Sequence, residues 1–438
     1  MKKILIWVFL LWLPTYMKAQ QDSIKLPFAI SDEKKLDEDD LAHKKTGWSI
    51  AGVPQLSSDP VNGFGYGAEG NLFFNGKKTD SFFNYTPYRL KIFLEAFNTT
   101  RSQNELVLGV DIPYIFNSKW RVRVEGVYEN DPNMIYFGVT EKSLQHLSNP
   151  QNGGSYTNYD DYARSLTGSY KNYNRYIEKN NRILNLSAER SFFHSKMRAV
   201  FGFRYSNYGI FTYPGNSYLV NEFNAGNLQG LGRNNINFLQ AGLVYDTRNL
   251  DSDPDKGIFA EVTNSVSLRT LGSQYTFNKF LFHIKGYQKL LPNRFKAVVL
   301  AMRGALAAVN GATAFYEYQE AWSTEGELYD LLGGRFGLRG YKQARFLANY
   351  VAFANIELRS RFAQFTLFKQ HVALSAVPFF DIGGVGNTPS RLFGYSANYR
   401  YDGGLGLRIA WNVNTILRFD YALSKEDRQF FFQFGHAF

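Results

Sequence analysis

The stretch Leu331-Leu332-Gly333-Gly334-Arg335-Phe336-Gly337-Leu338-Arg339-Gly340-Tyr341 makes the strongest chemical demand on its surroundings in this chain. Its last five residues, Gly337, Leu338, Arg339, Gly340 and Tyr341, set one cation among glycines, a leucine and an aromatic ring. A guanidinium keeps its proton in any protein environment. A loop of this composition folded into an enclosed space therefore needs carboxylate partners there. Two candidates follow in the next segments, Glu357 and Asp381. The chemistry on offer is charge neutralisation across a fold.

Other residue types that carry chemistry do not assemble into a site. The chain has no cysteine, which removes disulfides, thiolate metal sites and thiol nucleophiles. His43, His146, His194, His283, His371 and His436 show no metal-ligand spacing, and His436 is expected at the membrane interface on an apolar face. Gly65-Tyr66-Gly67-Ala68-Glu69-Gly70 fits GxGxxG, but Asn71-Leu72-Phe73-Phe74 continues as a strand where a nucleotide needs a helix N-terminus. Glycines beside aromatics in a strand instead let a ring lie flat on the sheet. No GxSxG elbow and no EF-hand spacing is present. No enzymatic activity, metal or cofactor is expected.

The segments around Arg339 alternate with period two, one face apolar and the other polar. Trp120, Val122, Val124 and Tyr128 alternate with Arg121, Arg123 and Glu125. Leu405, Leu407, Ile409 and Trp411 alternate with Gly404, Gly406, Arg408 and Ala410, and Leu417, Phe419, Tyr421 and Leu423 with Arg418, Asp420 and Ala422. Near the end, Phe430, Phe432, Phe434 and Phe438 alternate with Gln429, Gln433 and Ala437. Polar faces this charged suit a water-filled or loop-filled interior. A soluble sandwich would turn them outward, but these segments run well past the usual soluble strand of about 5 to 6 residues. They meet the roughly 9 to 11 residues that a membrane strand needs.

The expected fold is all-β, a transmembrane antiparallel β-barrel of about sixteen strands, an even number as closed bacterial barrels require. Short links such as Asn117-Ser118-Lys119, Pro292-Asn293 and Asn412-Val413-Asn414 read as periplasmic turns. Long ones, at about 132–175, 213–233 and 311–348, read as extracellular loops. At the N-terminus, Lys2-Lys3 and the apolar run from Ile4 to Leu13 suit a signal peptide over residues 1–19, the run being too short for a helix to cross the bilayer. Residues 20–46, with the mixed charges of Asp32 to Asp40, read as a short, solvated periplasmic linker, and 47–438 as the barrel.

Composition agrees. Aromatic residues make up 17% of the chain, and 38 glycines against 13 prolines fit strands joined by tight turns. The formal charge of +11 raises nucleic acid as a partner, but Lys and Arg are spread with no basic run, so none is expected. Anionic lipid head groups or a polar lumen account for the charge.

Five motifs, in order, resemble the BamA/TamA superfamily of outer-membrane barrels, also called the bacterial surface antigen family. Tyr245-Asp246-Thr247-Arg248-Asn249 with Pro254 and Gly257 resembles its strand-turn-strand element, and Leu338-Arg339-Gly340-Tyr341 its sixth-loop signature. Phe379-Phe380-Asp381-Ile382-Gly383 resembles its thirteenth-strand motif. Gly403 to Arg408 and Arg418 to Ala422 resemble the two strands before the last. The resemblance implies a sixteen-strand barrel in the bacterial outer membrane, with the sixth extracellular loop folded into the lumen and Arg339 on acids of strands twelve and thirteen. It also implies that Phe434 and the final Phe438 form a C-terminal signal for the barrel-assembly machinery, and it places Gly383 in the motif beside Asp381. The implied partners are outer-membrane lipids including lipopolysaccharide, that machinery, and client outer-membrane proteins or separate periplasmic partners. The implied function is insertion or translocation of envelope proteins or lipids. The alternative is a porin-like channel or structural barrel without client handling. Residues 20–46 are too few for the POTRA repeats of the best-known members.

Overall fold

In the computed structural model the alternating segments close into one sheet. The structure describes residues 25–438 apart from 60, 151–152, 167–170, 291–296, 326–327 and 369, and the expected signal peptide at 1–19 lies outside the described residues. The first five strands are β1 (Trp48–Asp59), β2 (Gly63–Phe74), β3 (Leu90–Thr99), β4 (Asn104–Ile112) and β5 (Trp120–Ile135). Then come β6 (Arg175–Phe192), β7 (Met197–Thr212) and β8, which is two collinear pieces, Gly232–Asn235 and Phe238–Asp246, both paired with β7. β9 (Gly257–Ser267), β10 (Phe277–Lys289), β11 (Val298–Gly311) and β12 (Tyr350–Leu367) follow. The wall ends with β13 (Gln370–Gly386), β14 (Tyr399–Trp411), β15 (Thr415–Leu423) and β16 (Arg428–Phe434). Every strand pairs antiparallel with its sequence neighbour, giving a nearly closed barrel of sixteen positions. No helix among the described residues is long and apolar enough to cross a membrane.

Period two fixes which way each side chain points. On β12, Ile356 is 45% exposed and Glu357 0%; on β13, Phe380 is 46% exposed and Asp381 0%. Apolar side chains therefore face the outside of the cylinder, and charged ones face in. Several glycines receive a cross-strand ring. Gly109 lies opposite Phe93 and Gly404 opposite Phe379, where an added Cβ would fall 2.1 Å and 2.5 Å from the ring. Gly67 faces Phe97 in the same way. The GxGxxG run is thus part of strand β2 and its packing.

The interior is filled on one side. The connection between β11 and β12, residues 312–349, folds into the lumen, where Leu331, Leu332, Leu338, Tyr341 and Phe346 pack with Leu281, Val351, Phe353 and Val385 of the wall. Glu261 on β9 holds this loop by accepting from Ser323 Oγ (2.6 Å) and from Thr324 N–H and Oγ1 (2.9 and 2.7 Å). A cavity of about 1110 Å³ remains along β2 to β6 and β16.

The N-terminal segment is not a free linker. Its apolar residues Leu36 and Leu41 find Leu250 and Val413, and the charge run folds into a turn, Asp32–Lys34, and a short helix, Glu38–His43. The segment lies across the short-turn end of the cylinder. Ser31 N–H donates to the His194 carbonyl (2.8 Å) and Leu36 N–H to that of Asn84 (2.9 Å). Lys34, only 9% exposed, pairs with Asp246 at 2.8 Å. The ring of His43 stacks on His371 at 3.7 Å. Its contacts reach turns from β2–β3 through β14–β15. A mixed charge run signals solvation only where no partner exists, and here the turns supply partners.

Candidate functional site

Arg339 reaches the lumen because its loop turns sharply before it. Gly333 has φ +93°, and Gly334 N–H donates to the Tyr341 carbonyl at 2.7 Å, closing the hairpin that presents Leu338-Arg339-Gly340. Leu338 and Tyr341 are buried against the wall, and Tyr341 meets Phe346 edge-on at 5.1 Å. At Gly340 a Cβ would lie 2.7 Å from Asp402 Cβ, so only glycine lets the loop approach β14 this closely. Gly383 is the matching notch in β13, where a Cβ would fall 2.4 Å from Leu332. The Gly337 carbonyl accepts from Asn355 Nδ2 at 2.8 Å.

The guanidinium of Arg339 is wholly buried and ties three strands together. Its Nε and Nη2 donate to the two oxygens of Asp381 on β13, both at 2.8 Å, the planar fork matching the carboxylate. Its Nη1 donates to Glu357 on β12 (2.8 Å) and to Asp420 on β15 (3.0 Å). The Phe379 ring lies under the guanidinium at 3.5 Å. Arg408 on β14 bonds both Glu357 (3.0 Å) and Asp420 (2.5 Å), and Arg359 bonds Glu357 (2.9 Å). Asn355 donates to Asp381 at 2.7 Å.

The geometry thus brings Arg339, Glu357 and Asp381 together. It adds Asp420, Arg408, Asn355 and Phe379, which reasoning from the sequence did not assign to the cluster. Asp420 and Arg408 were legible in part, since each falls on the charged face of a strand already read as alternating. The convergence of strands that are neighbours only through the curvature of the wall was not.

The other end of the chain departs from expectation. Alternation in the sequence carries the last strand to Phe438 and puts Phe438 and His436 on the outer apolar face. The strand ends instead at Phe434. Gly435, at φ +79°, breaks the alternation and turns the tail into the lumen. His436 Nε2 lies 2.9 Å from Asp253 Oδ1 and its side chain is 6% exposed, so the ring turns inward rather than to the membrane interface. Arg303 Nη1 donates to the Ala437 carbonyl (3.2 Å) and Arg359 Nη2 to a Phe438 oxygen (2.8 Å). Phe438 packs with Tyr287, Val299 and Ala301. Arg359 therefore links the tail to Glu357 and, through it, to Arg339.

Beside the tail is a seam. β1 pairs along its length with β2, and β16 with β15, from Leu417 opposite Phe434 to Leu423 opposite Arg428. Among the described residues no backbone pairing joins β1 to β16. The closing strand has seven residues and the opening one twelve, so β1 is left with an unpaired edge.

A barrel of sixteen antiparallel strands, filled by the loop before its twelfth, defines a class of bacterial outer-membrane proteins. A model of the Omp85 superfamily domain matches residues 95–438, and the chain belongs to that superfamily. Residues 26–89, which include the docked N-terminal segment and the first two strands, match a domain of unknown function, DUF5982. Among solved structures the chain is similar to BamA from Haemophilus ducreyi lacking POTRA domains 1-3, at 16% identity, a TM-score of 0.52 and coverage of 89% of this chain and 70% of that one. It is also similar to CdiB from Escherichia coli, at 12% identity, a TM-score of 0.50 and coverage of 89% and 60%. At these identities the likeness shows the fold. No protein with a curated description matches.

Proposed function

We propose that this barrel assists insertion or translocation of envelope proteins or lipids through the seam between β1 and β16. Its short-turn end faces the periplasm, the long loops face outward, and lipopolysaccharide is among the lipids around it. The observation that carries this reading is the unpaired edge of β1. Exposed N–H and C=O groups on a strand edge template an incoming strand, and a barrel normally removes such edges by closing. Burial of the tail inside the lumen keeps residues 435–438 from extending β16 along β1. The Arg339 cluster supplies the rigid half of the cylinder, β12 to β15, against which the seam opens. Clients are unfolded outer-membrane proteins, delivered by separate periplasmic partners because the described residues hold no POTRA repeat. Phe434 and Phe438 serve the chain's own assembly.

The porin-like alternative needs a continuous aqueous path, and the loop packed into the lumen and the N-terminal segment docked across the short-turn end weigh against one. A photo-crosslinking residue at Ile50 on β1, which is 77% exposed, tests the choice in cells. Adducts with newly made barrel proteins are expected. No adducts, combined with robust ion conductance in planar bilayers, would sink the insertion reading.

A further inference from the structure

The cavity left beside the loop has a wall on which carboxylates face carboxylates across neighbouring strands. Glu69 on β2 lies directly opposite Glu95 on β3, Glu105 on β4 opposite Glu129 on β5, and Asp131 on β5 opposite Glu178 on β6. All six line the cavity, with Glu125 beside them. Like charges directly opposite each other destabilise a sheet, and three such pairs in succession oppose folding unless something else is gained. Among the described residues, Glu69, Glu95, Glu105, Glu129 and Glu178 have no ion-pair partner. Neutral donors reach three of these five: Asn71 bonds Glu69, Gln55 donates to Glu95 (2.9 Å), and Asn181 and Tyr176 donate to Glu178 (2.8 and 3.3 Å).

The contrast with the short-turn end of the same cavity is sharp. There Arg121 and Arg123 are matched by Asp111 and Glu189, and Arg248 and Lys285 by Glu325. The fold supplies tight ion pairs low in the lumen, whereas higher up Lys91 and Arg335 act on Glu69, and Arg335 on Glu105, only through space, with no ion pair to either carboxylate among the described residues. An independent feature points the same way. Asn71, on β2 two residues from Glu69, lines the cavity at 3% exposure, and its Oδ1 has no donor; Asn185 Oδ1 on β6 is likewise unmatched. These leftover atoms are acceptors, as a cationic ligand requires.

We infer that the lumen wall from β2 to β6 binds an extended basic segment of polypeptide, its Lys and Arg side chains pairing with the opposed carboxylates. A single metal ion does not fit, since no three acidic or histidine side chains among the described residues converge on one point. The pairs are instead spread over five strands about 4.8 Å apart, a wall about 20 Å wide that suits a chain rather than a point charge. The inference goes beyond the insertion reading, and binding to the purified barrel does not depend on transport.

The test is fluorescence anisotropy with labelled hexalysine on the full chain in detergent, alongside the triple variant Glu69→Gln, Glu105→Gln, Glu129→Gln. Binding to the natural protein that weakens with added salt, and is about tenfold weaker in the variant, is the expected result. Relief of like-charge repulsion should leave the variant at least as heat-resistant as the parent, which separates lost binding from lost fold. Equal affinity in the two proteins, no binding at all, or spermine binding as tightly as the peptide would overturn the assignment.

Discussion

Arg339 makes its four short contacts to carboxylates on three different strands, so its removal differs from the loss of an ordinary surface pair. Arg339→Ala leaves Glu357, Asp381 and Asp420 buried with one cation fewer among them, and breaking a buried pair costs roughly 3 to 5 kcal/mol. The folded form on unheated gels should unfold at a markedly lower temperature. Arg339→Lys should recover little, because an ammonium cannot present the fork that Asp381 receives. An unchanged unfolding temperature in Arg339→Ala would mean that the cluster holds nothing together. The pairing itself was legible from parity, since Glu357 and Asp381 alternate with Ile356 and Phe380. Asp420 stood on an equally legible face, between Phe419 and Tyr421. What sequence periodicity lacks is the radius of the wall, which decides that β15 reaches the same guanidinium as β12 and β13.

In two elements the chain departs from its local pattern. Gly435 interrupts the alternation at a residue where only backbone conformation reveals the turn, and the tail behind it goes to Arg303 and Arg359. The N-terminal charge run was read by its own composition, whereas its fate is set by turns far away in sequence. Lys44 gives that docking a pH dependence. Burial lowers its pKa from 10.5 to about 7, partly offset by Asp80, and the amine donates to the Phe83 and Thr86 carbonyls. A neutral amine still has two hydrogens for those two acceptors. Between about pH 7 and 10.5 the released segment holds a proton that the docked one lacks, so docking strengthens as pH rises through this window and is weakest below it. The absence of cysteine makes a single spin label at Ala29→Cys a clean probe. Its mobile fraction should be larger at pH 6 than at pH 9, and the reverse order would refute the role given to Lys44.

At the scale of the whole molecule, the barrel divides into a braced half and an open one. β12 to β15 are bound together by the Arg339 cluster and covered by the loop at 312–349, while β1 to β6 face the cavity and end at the seam. Strand number, orientation and the folded-in loop were readable from alternation and motif order. The open seam was not, because alternation alone carries β16 on to Phe438 and gives no sign of whether β1 finds it. The most direct measurement is the folding rate of an unfolded outer-membrane barrel protein added to vesicles that contain this chain, with and without a disulfide between one cysteine placed in β1 and one in β16. Folding several-fold faster than with empty vesicles, and back to the empty-vesicle rate when the disulfide closes the seam, is the result expected here. Acceleration that survives the closed seam, or no acceleration with the seam free, would contradict it.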